Sequence, residues 1–456
     1  MNTIKNIAFY ALLTGVSAIF YATPALAGIP IEHWTQASGA QVYLVQSPGI
    51  AMLDIQVDFD AGSRRDKAAQ AGLASVTAEM ATKGVRAVKV PGATPQSALD
   101  ENALNEAWAD LGATFGASAG NDRMSFALRS LTYPDLLIKA VELAARQMGE
   151  PSFPTDIWLR ERQRISALLK EANTRPATLA GRAFSQSVYG AHPYGFEMTQ
   201  TTLQRINVAD MQALYATAIL PCRAKVTLVG AVNRVQADAL AALLLSHLPR
   251  SAKTGDCPAL PAVAEVQPLA AAQEKNIPFD SAQAHVLIGQ PGFKREDPDY
   301  FALVVGNYIL GGGGFVSRLT EEVREKRGLS YSVYSFFAPG LHAGAFTMGL
   351  QTRPDQVKEA VQVSRDVLAK FVADGPLASE LQAAKDNLIG GFALRIDSNH
   401  KLLENVANIA WNGLALDYLD TWTAQVEKVT IDSIRDAFAR KLQPSKMVTV
   451  VLGGAN

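Results

Sequence analysis

Histidine and cysteine are scarce in this sequence, which limits the metal and redox chemistry available to the chain. The 456 residues contain six histidines and two cysteines, and no two histidines lie within five residues of each other. A zinc site on a helix needs two ligands one turn apart on the same face. The sequence therefore predicts that this chain binds no metal through a local motif, and a site assembled from distant residues is the weaker alternative.

We also expect no serine-hydrolase nucleophile elbow, although Gly116 to Gly120 has the G-x-S-x-G spacing. The formal net charge of −1 gives no electrostatic argument for binding nucleic acid or an anionic membrane.

A run of four glycines, Gly311, Gly312, Gly313 and Gly314, raises the question of a phosphate-binding loop. The run lacks the G-K-[ST] ending that such a loop requires. We interpret the four residues as a tight, flexible connection between two helices, with a phosphate cradle as the less favoured alternative.

Residues 1–27 have the pattern of a secretory signal peptide. Lys5 provides a positive start, Ile7 to Ala22 carries no charge, and Ala25-Leu26-Ala27 forms a cleavage site. The mature chain would begin at Gly28 and, in a bacterium, would reach the periplasm without membrane insertion. A membrane anchor is less favoured because the apolar run is short and no stop-transfer pattern follows.

The two cysteines are Cys222 and Cys257. In an oxidising compartment they could pair, but one precedes a strand-like run and the other lies in a linker-like segment. The sequence leaves both the disulfide and the free thiols open.

The chain divides into two similar parts around a proline-rich segment. The prediction is an N-terminal domain over 28–250, a linker over 251–278 and a C-terminal domain over 279–456. Helix-like blocks begin at Asp135 and Asp355, and blocks that combine a helix, a proline and a strand begin at Leu214 and Ala437. Similar blocks in the same order predict an internal duplication.

Each half mixes strand-like and helix-like stretches. In the first half, for example, the alternating run that starts at Met52 predicts a strand, and the spacing of Leu73, Val76 and Met80 predicts a short helix. We predict an α+β fold of two homologous domains, each a mainly antiparallel sheet with helices packed on one face.

Three stretches together carry a family resemblance: the run from Ala61 to Gly84, the loop Tyr189 to Gly195, and the run Asn307 to Ser335. They resemble the pitrilysin and mitochondrial-processing-peptidase family, zinc peptidases built from repeated domains of this kind. The resemblance extends over essentially the whole mature chain, and its most specific part is the stretch in the second half.

The resemblance implies a degenerate zinc motif. The family helix carries H-x-x-E-H, with two histidine ligands and a glutamate base. The matching positions here are Ser75, Ala78 and Glu79, and the third ligand falls near Leu168, or at Glu171 if the alignment slips. The expectation is a scaffold helix with a solvated Glu79, in a chain that does not hydrolyse peptides by itself.

The family's second functional feature is intact. It uses an arginine and a tyrosine seven residues apart, and Arg324 and Tyr331 have that spacing. The resemblance implies that the arginine binds a substrate carbonyl or carboxylate and that the tyrosine donates to the oxyanion.

The local pattern places this pair at a helix end and on the next strand. Arg318 to Lys326 predicts a helix that ends at Gly328, and Leu329 to Phe337 predicts a strand. The competing interpretation is that Arg324 pairs with Glu321 or Glu325 and that Tyr331 is a core aromatic.

These features predict a non-catalytic, substrate-binding subunit of a secreted heteromeric zinc metalloendopeptidase. A homologous partner would supply the zinc, its ligands and the base, while Arg324 and Tyr331 complete the site around a peptide and the four glycines let the chain flex. The alternative is a stand-alone peptide-binding or assembly protein without peptidase activity. A zinc enzyme with unorthodox ligands is a third, weaker possibility.

Overall fold

The computed structural model describes residues 28–88, 96–249 and 257–453. The predicted signal peptide lies outside these residues. Among the helices in the described ranges, none combines the length and apolar character that crossing a membrane requires.

The first half forms a six-stranded sheet in the spatial order β1-β2-β6-β3-β5-β4. The β2–β6 pair is parallel, and the other neighbouring pairs are antiparallel. The strands are β1 Glu32–Thr35, β2 Gln41–Gln46, β3 Met52–Phe59, β4 Thr114–Ala119, β5 Met124–Leu131 and β6 Lys225–Gly230.

The second half forms a five-stranded sheet in the order β7-β11-β8-β10-β9. The β7–β11 pair is parallel, and the other pairs are antiparallel. The strands are β7 Gln273–Ile277, β8 Ala284–Pro291, β9 Val333–Phe337, β10 Ala345–Thr352 and β11 Val448–Leu452. These five strands repeat the order and directions of β2, β6, β3, β5 and β4.

Helices pack around both sheets. Those of the first half are α1 Leu73–Ala81, α2 Glu101–Asp110, α3 Pro134–Gly149, α4 Thr155–Ala172, α5 Pro176–Tyr189, α6 Gln200–Arg205, α7 Val208–Ala218 and α8 Arg234–Leu244. Those of the second half are α9 Tyr300–Asn307, α10 Val357–Asp374, α11 Ala378–Gly390, α12 Asn399–Asn412, α13 Tyr418–Glu427 and α14 Ile431–Lys441. The predicted α+β class with mainly antiparallel sheets is confirmed.

Each sheet buries one face against helices of its own half. In the first half, β3 and β5 contribute Phe59 and Phe126 to a core that also contains Met80 of α1. In the second half, Phe346 of β10 packs in the core with Phe438 of α14. These two cores hold most of the buried apolar side chains and make the halves separate hydrophobic units.

The opposite face of each sheet is covered by a helix from the other half. Helix α5 places Ala180, Phe184 and Val188 against β8 and β11 of the second sheet. Helix α12 places Val406 and Ile409, among others, against β2 and β6 of the first sheet. The two halves therefore exchange a helix, and each completes the other.

A polar joint also connects the halves. The Tyr194 hydroxyl donates to Asp122 at 2.5 Å and accepts from the backbone N–H of His342 at 3.2 Å. Asp122 also accepts from the backbone N–H of Leu341 at 3.0 Å. The Tyr189 to Gly195 loop of the first half thus binds the turn that precedes β10.

The segment predicted as a linker is partly ordered structure. Strand β7 lies inside the predicted range 251–278 and pairs in parallel with β11. Its sequence QEKNI is largely exposed because it is the edge strand of the sheet, which explains why its composition did not indicate a strand. Further upstream, a disulfide joins Cys257 to Cys222 of the first half.

We expect the exchanged helix α5 to stabilise the whole chain. Phe184 is 6% exposed, so Phe184→Ala should lower the free energy of unfolding by about 3–5 kcal/mol. Urea denaturation followed by circular dichroism measures this change. Gln186→Ala, at an exposed position of the same helix, is the control and should change stability by less than about 0.5 kcal/mol. Equal free energies of unfolding for the two variants would contradict the packing of α5 on the second sheet.

Candidate functional site

Helix α1 lies where the sequence predicted it. Val76, Ala78 and Met80 are buried in the core of the first half. Buried Asp66 accepts hydrogen bonds from the backbone N–H groups of Gly72 at 2.8 Å and Ala74 at 3.0 Å, which satisfies the start of the helix. Burial outweighs these hydrogen bonds and raises the pKa of Asp66 to about 7.

The three positions of the degenerate zinc motif have different surroundings. Ser75 is exposed on α1. The Ala78 methyl group is 1% exposed and faces the core. Glu79 is half-buried and forms an ion pair with Arg164 of α4. The predicted solvated Glu79 is therefore wrong, because its carboxylate has a charged partner on the neighbouring helix.

Arg164 belongs to a chain of alternating charges between α1, α4 and α2. Its Nε donates to Glu161 at 2.6 Å. Glu161 also accepts from Arg160 Nη2 at 2.9 Å, and the same nitrogen donates to Glu101 at 2.5 Å. Lys83 binds the other Glu101 oxygen at 2.8 Å. We call Glu79, Arg164, Glu161, Arg160, Glu101 and Lys83 the charge network.

Glu161 lies at the centre of this network, and its side chain is 5% exposed. Burial favours the neutral acid, but the hydrogen bonds from Arg164 and Arg160 outweigh it and lower the pKa of Glu161 to about 2. Glu161 is therefore a carboxylate at neutral pH, with both oxygens bound by arginine.

The order of contacts shows that α1 and α4 run antiparallel. Glu79 pairs with Arg164, and Lys83 connects through Glu101 to Arg160. Ser75 lies one turn before Glu79 on α1, and Leu168 lies one turn after Arg164 on α4. Of the predicted ligand positions, the structure thus connects Glu79 to α4, through Arg164.

The residues at these positions do not fit a zinc ion. Ser75 and Leu168 supply no imidazole or carboxylate, and the Glu79 carboxylate is neutralised by a fixed guanidinium. Glu171, the other possible third ligand, is 58% exposed and pairs with Arg175 instead. In the described part of the chain there is no group of three or more His, Cys, Asp or Glu side chains that could hold a metal. Of the six residues in the charge network, Glu79 alone stands at a position of the predicted degenerate motif.

The arginine and tyrosine of the second half lie together. The Arg324 guanidinium is 4.7 Å from the ring centroid of Tyr331 and 4.7 Å from that of Phe315. It also pairs with Glu325 at 3.2 Å. Tyr331 is 80% exposed and Phe315 is 73% exposed. The guanidinium therefore contacts two aromatic rings at the protein surface.

Two local predictions for this pair need correction. Tyr331 is not in a strand, because β9 begins only at Val333 and Ser330 uses its hydroxyl to bind the carbonyls of Ser332 and Gln351. Its 80% exposure also excludes the competing interpretation as a core aromatic. The ion pair of Arg324 with Glu325 is present, but it is local and does not separate the arginine from Tyr331.

The first three of the four glycines lie in or directly after a wide helical turn and do not form an open loop, and the flexibility of the run stays a prediction. Gly311 and Gly312 end the wide helical turn Tyr308–Gly312. Gly313 closes that turn, because its backbone N–H donates to the carbonyl of Tyr308 at 2.7 Å. A side chain at Gly313 would come within 2.7 Å of the same carbonyl oxygen, and one at Gly311 would come within 2.5 Å of Ser335 on β9. These glycines allow close packing of the backbone.

Gly314 differs from the three glycines before it. Its φ is +62° and the space around its Cα is open, a conformation that favours glycine. It begins the short turn Gly314–Val316, which carries Phe315 to the Arg324 guanidinium.

Sequence reasoning missed the charge network and Phe315. The dense charge of α4, with Arg160, Glu161 and Arg164 close together on one helix, was the available signal, but its partner Glu79 is far away in sequence. Phe315 follows directly after the glycine run, and only the fold shows that it lies against Arg324.

Comparison with known proteins gives the family context. A family model described as the peptidase M16 inactive domain matches residues 205–388. The crystal structure of a peptidase M16 inactive domain from Pseudomonas fluorescens has a TM-score of 0.85 and 33% identity, and the match covers 93% of this chain and 98% of that one. An uncharacterized zinc protease of Mycobacterium bovis is 26% identical over 436 residues, which is 95% of each chain.

A longer protein shares the fold. The periplasmic protease PqqL from Escherichia coli matches with a TM-score of 0.76 and 18% identity, over 93% of this chain and 46% of that chain. At this identity the likeness shows the fold alone. It also shows that the fold of this chain occurs as about half of a longer polypeptide.

We expect Glu161 to stabilise the pair of helices α1 and α4. Glu161→Gln should lower the free energy of unfolding at pH 7 by about 1.5–3 kcal/mol, because it removes charge-assisted hydrogen bonds. Since the pKa of Glu161 falls from 4.5 to about 2 on folding, its stabilisation is complete above about pH 4.5 and is lost as pH falls toward 2. The difference between wild type and variant should therefore shrink with acidification.

Urea denaturation at a series of pH values from 7 downward tests this expectation. Glu171→Gln on the same helix is the matched control, because its pair with Arg175 is exposed and is worth less than about 1 kcal/mol. A difference between Glu161→Gln and wild type that grows on acidification would refute the assignment.

Proposed function

The chain belongs to the peptidase M16 family, and from this premise we propose that it is a non-catalytic, substrate-binding subunit of a secreted heteromeric zinc metalloendopeptidase. The observation that carries the proposal is the exposed contact between Arg324 and Tyr331. Two side chains suited to binding a peptide lie together and accessible in a chain whose degenerate zinc motif has Ser75 and Ala78 at two positions and a paired Glu79 at the third.

The charge network supports the non-catalytic part of the proposal. Arg164 bridges Glu79 and Glu161, so a fixed cation on α4 already balances the carboxylate of α1. Ala78 cannot accept a proton at the position where the family places its general base. The metal, its ligands and the base would therefore come from a homologous partner subunit.

Arg324 and Tyr331 would act on the peptide. The two aromatic rings in contact with Arg324 restrict its guanidinium, and its N–H groups can donate to a substrate carbonyl. The Tyr331 hydroxyl can donate to the oxyanion that forms when water attacks a peptide carbonyl. Gly314, with open space around it, would allow Phe315 to move when a peptide enters.

Further observations support the partner, the compartment and the internal duplication. A protease of the same fold contains about twice the length of this chain in one polypeptide, which supports assembly from two chains of this size. The signal-peptide pattern of residues 1–27 supports export, as does the periplasmic location of that protease. The matching strand order of the two sheets supports the predicted duplication.

Substitutions of the pair in a reconstituted complex test the proposal. The purified chain is mixed with a zinc-motif homologue from the same source, and cleavage of a quenched fluorescent peptide is followed. Tyr331→Phe should lower kcat/KM of the mixture by about 100-fold through loss of an oxyanion donor. Arg324→Ala should cause a loss of similar size, because it removes a positioning contact.

Arg327→Ala is the matched control, since Arg327 lies close in sequence but binds Glu322. It should leave kcat/KM within roughly twofold of the unsubstituted mixture. Full activity of the Tyr331→Phe and Arg324→Ala mixtures would overturn the role of the pair. A mixture that is inactive while the chain still binds peptides would favour the stand-alone peptide-binding protein.

A further inference from the structure

One strip of the second sheet carries aromatic side chains that the described helices leave exposed. Helix α5 packs on β8 and β11. The register pairs Tyr334 with Gly349 and Phe336 with Thr347, so both aromatics point to the face on which α5 lies. Tyr334 is 41% exposed and Phe336 is 43% exposed, with their rings stacked at 6.0 Å. We call these two residues, with Tyr331 just before the strand, the aromatic strip.

The first sheet provides an internal comparison. It has the same strand order, and α12 packs mainly on β6 and β3 as α5 packs on β11 and β8. The edge strand β4 corresponds to β9. On the face that α12 shares, β4 carries Thr114, Gly116 and Ser118. The fold thus accepts small and polar residues at this place, and the aromatic residues of β9 are not needed to build it.

The aromatic strip lies beside the Arg324 site. Tyr331 contacts Arg324 at one end of the strip, and the chain continues directly into β9. Among the described residues, β9 pairs only with β10, but its other edge is covered at Ser335, whose carbonyl accepts from Asn307 Nδ2 at 3.1 Å and against which Gly311 packs. The open surface is therefore the aromatic face of β9. There the Arg324 donor groups and flat apolar rings lie side by side, which suits a peptide with an apolar side chain.

We propose that the aromatic strip selects peptides that carry a large apolar side chain within a few residues of the carbonyl bound by Arg324. This inference rests on the proposed substrate-binding role and names its substrate class. The peptide would lie along β9, its apolar side chain on the rings of Tyr334 and Phe336. Gly349 allows the Tyr334 ring to lie flat on β10, because a side chain at Gly349 would collide with that ring.

Peptide binding to the chain alone tests the strip without requiring a partner. Two short fluorescein-labelled peptides are compared by anisotropy, identical except for Leu-Phe-Leu or Ser-Thr-Ser at the centre. The wild-type chain should bind the apolar peptide about 10-fold more tightly. The variant Tyr334→Ser with Phe336→Ser should bind both peptides equally, and Phe336→Ser alone should lie between.

The measured quantity is the ratio of the affinities for the two peptides. A variant that is partly unfolded binds both peptides more weakly by the same factor, so its ratio does not change. Tyr133→Ser, which removes an aromatic residue that is 55% exposed elsewhere, should keep the ratio. Arg324→Ala should weaken both peptides by the same factor.

A preference for the apolar peptide that survives in the double Ser variant would overturn the proposal. So would equal binding of both peptides by the wild-type chain, or sedimentation showing that the strip is covered by a second copy of the chain. If the aromatic strip proves to have no role in peptide selection, Arg324 and Tyr331 can still be required for cleavage by the mixture with the zinc-motif homologue. Conversely, if the mixture cleaves nothing but the chain alone still prefers the apolar peptide, the subunit role is rejected and peptide selection by the strip stands.

Discussion

The exchange of α5 and α12 is the constraint on which the rest of the structure depends. Each helix belongs to one half by sequence and buries its apolar side chains on the sheet of the other half. Lys225 of the first sheet donates to the carbonyls of Ala410 and Trp411 at the end of α12, at 2.7 and 3.2 Å. This interaction complements the helix dipole. The exchange joins the two sheets and leaves Tyr334 and Phe336 of the second sheet exposed.

The two halves differ within this shared frame. In the first half, a chain of alternating charges connects α1 to α4 and α2 and includes Glu79 of the degenerate motif. A guanidinium in contact with a buried carboxylate stabilises two helices, but it does not activate water. In the second half, Arg324 and Tyr331 lie together at the surface, and these are the side chains that we propose to contact a peptide.

Several features could be predicted from the sequence because they depend on local periodicity. The spacing of Val76 and Met80 predicted α1, and alternation predicted β3. The start of β9 was placed at Leu329 instead of Val333, because the residues from Leu329 onward alternate like a strand. Ser330, however, contacts Ser332 and Gln351 through its hydroxyl, and the strand ladder begins only at Val333. Strand β7 was included in the predicted linker because its polar, exposed sequence QEKNI lacks the alternation of a half-buried strand.

Features that depend on tertiary structure could not be predicted. The apolar face of α5 is evident in the sequence, but nothing local shows which of two sheets it covers. Glu79 and Arg164 are joined only when α1 and α4 pack antiparallel. The contact of Phe315 with Arg324 likewise requires the turn at Gly314. In each case the sequence supplies the chemical groups, and the packing of distant elements decides their partners.

The central claim is that this chain contributes to peptide hydrolysis only together with a zinc-bearing partner. The most direct measurement is the cleavage rate of a quenched peptide mixture as the proportion of this chain and a zinc-motif homologue varies at constant total concentration, with zinc content recorded. We predict a maximum near equal proportions, no activity from this chain alone, and zinc only in the homologue. Chelator-sensitive cleavage by this chain alone, with stoichiometric zinc, would contradict it.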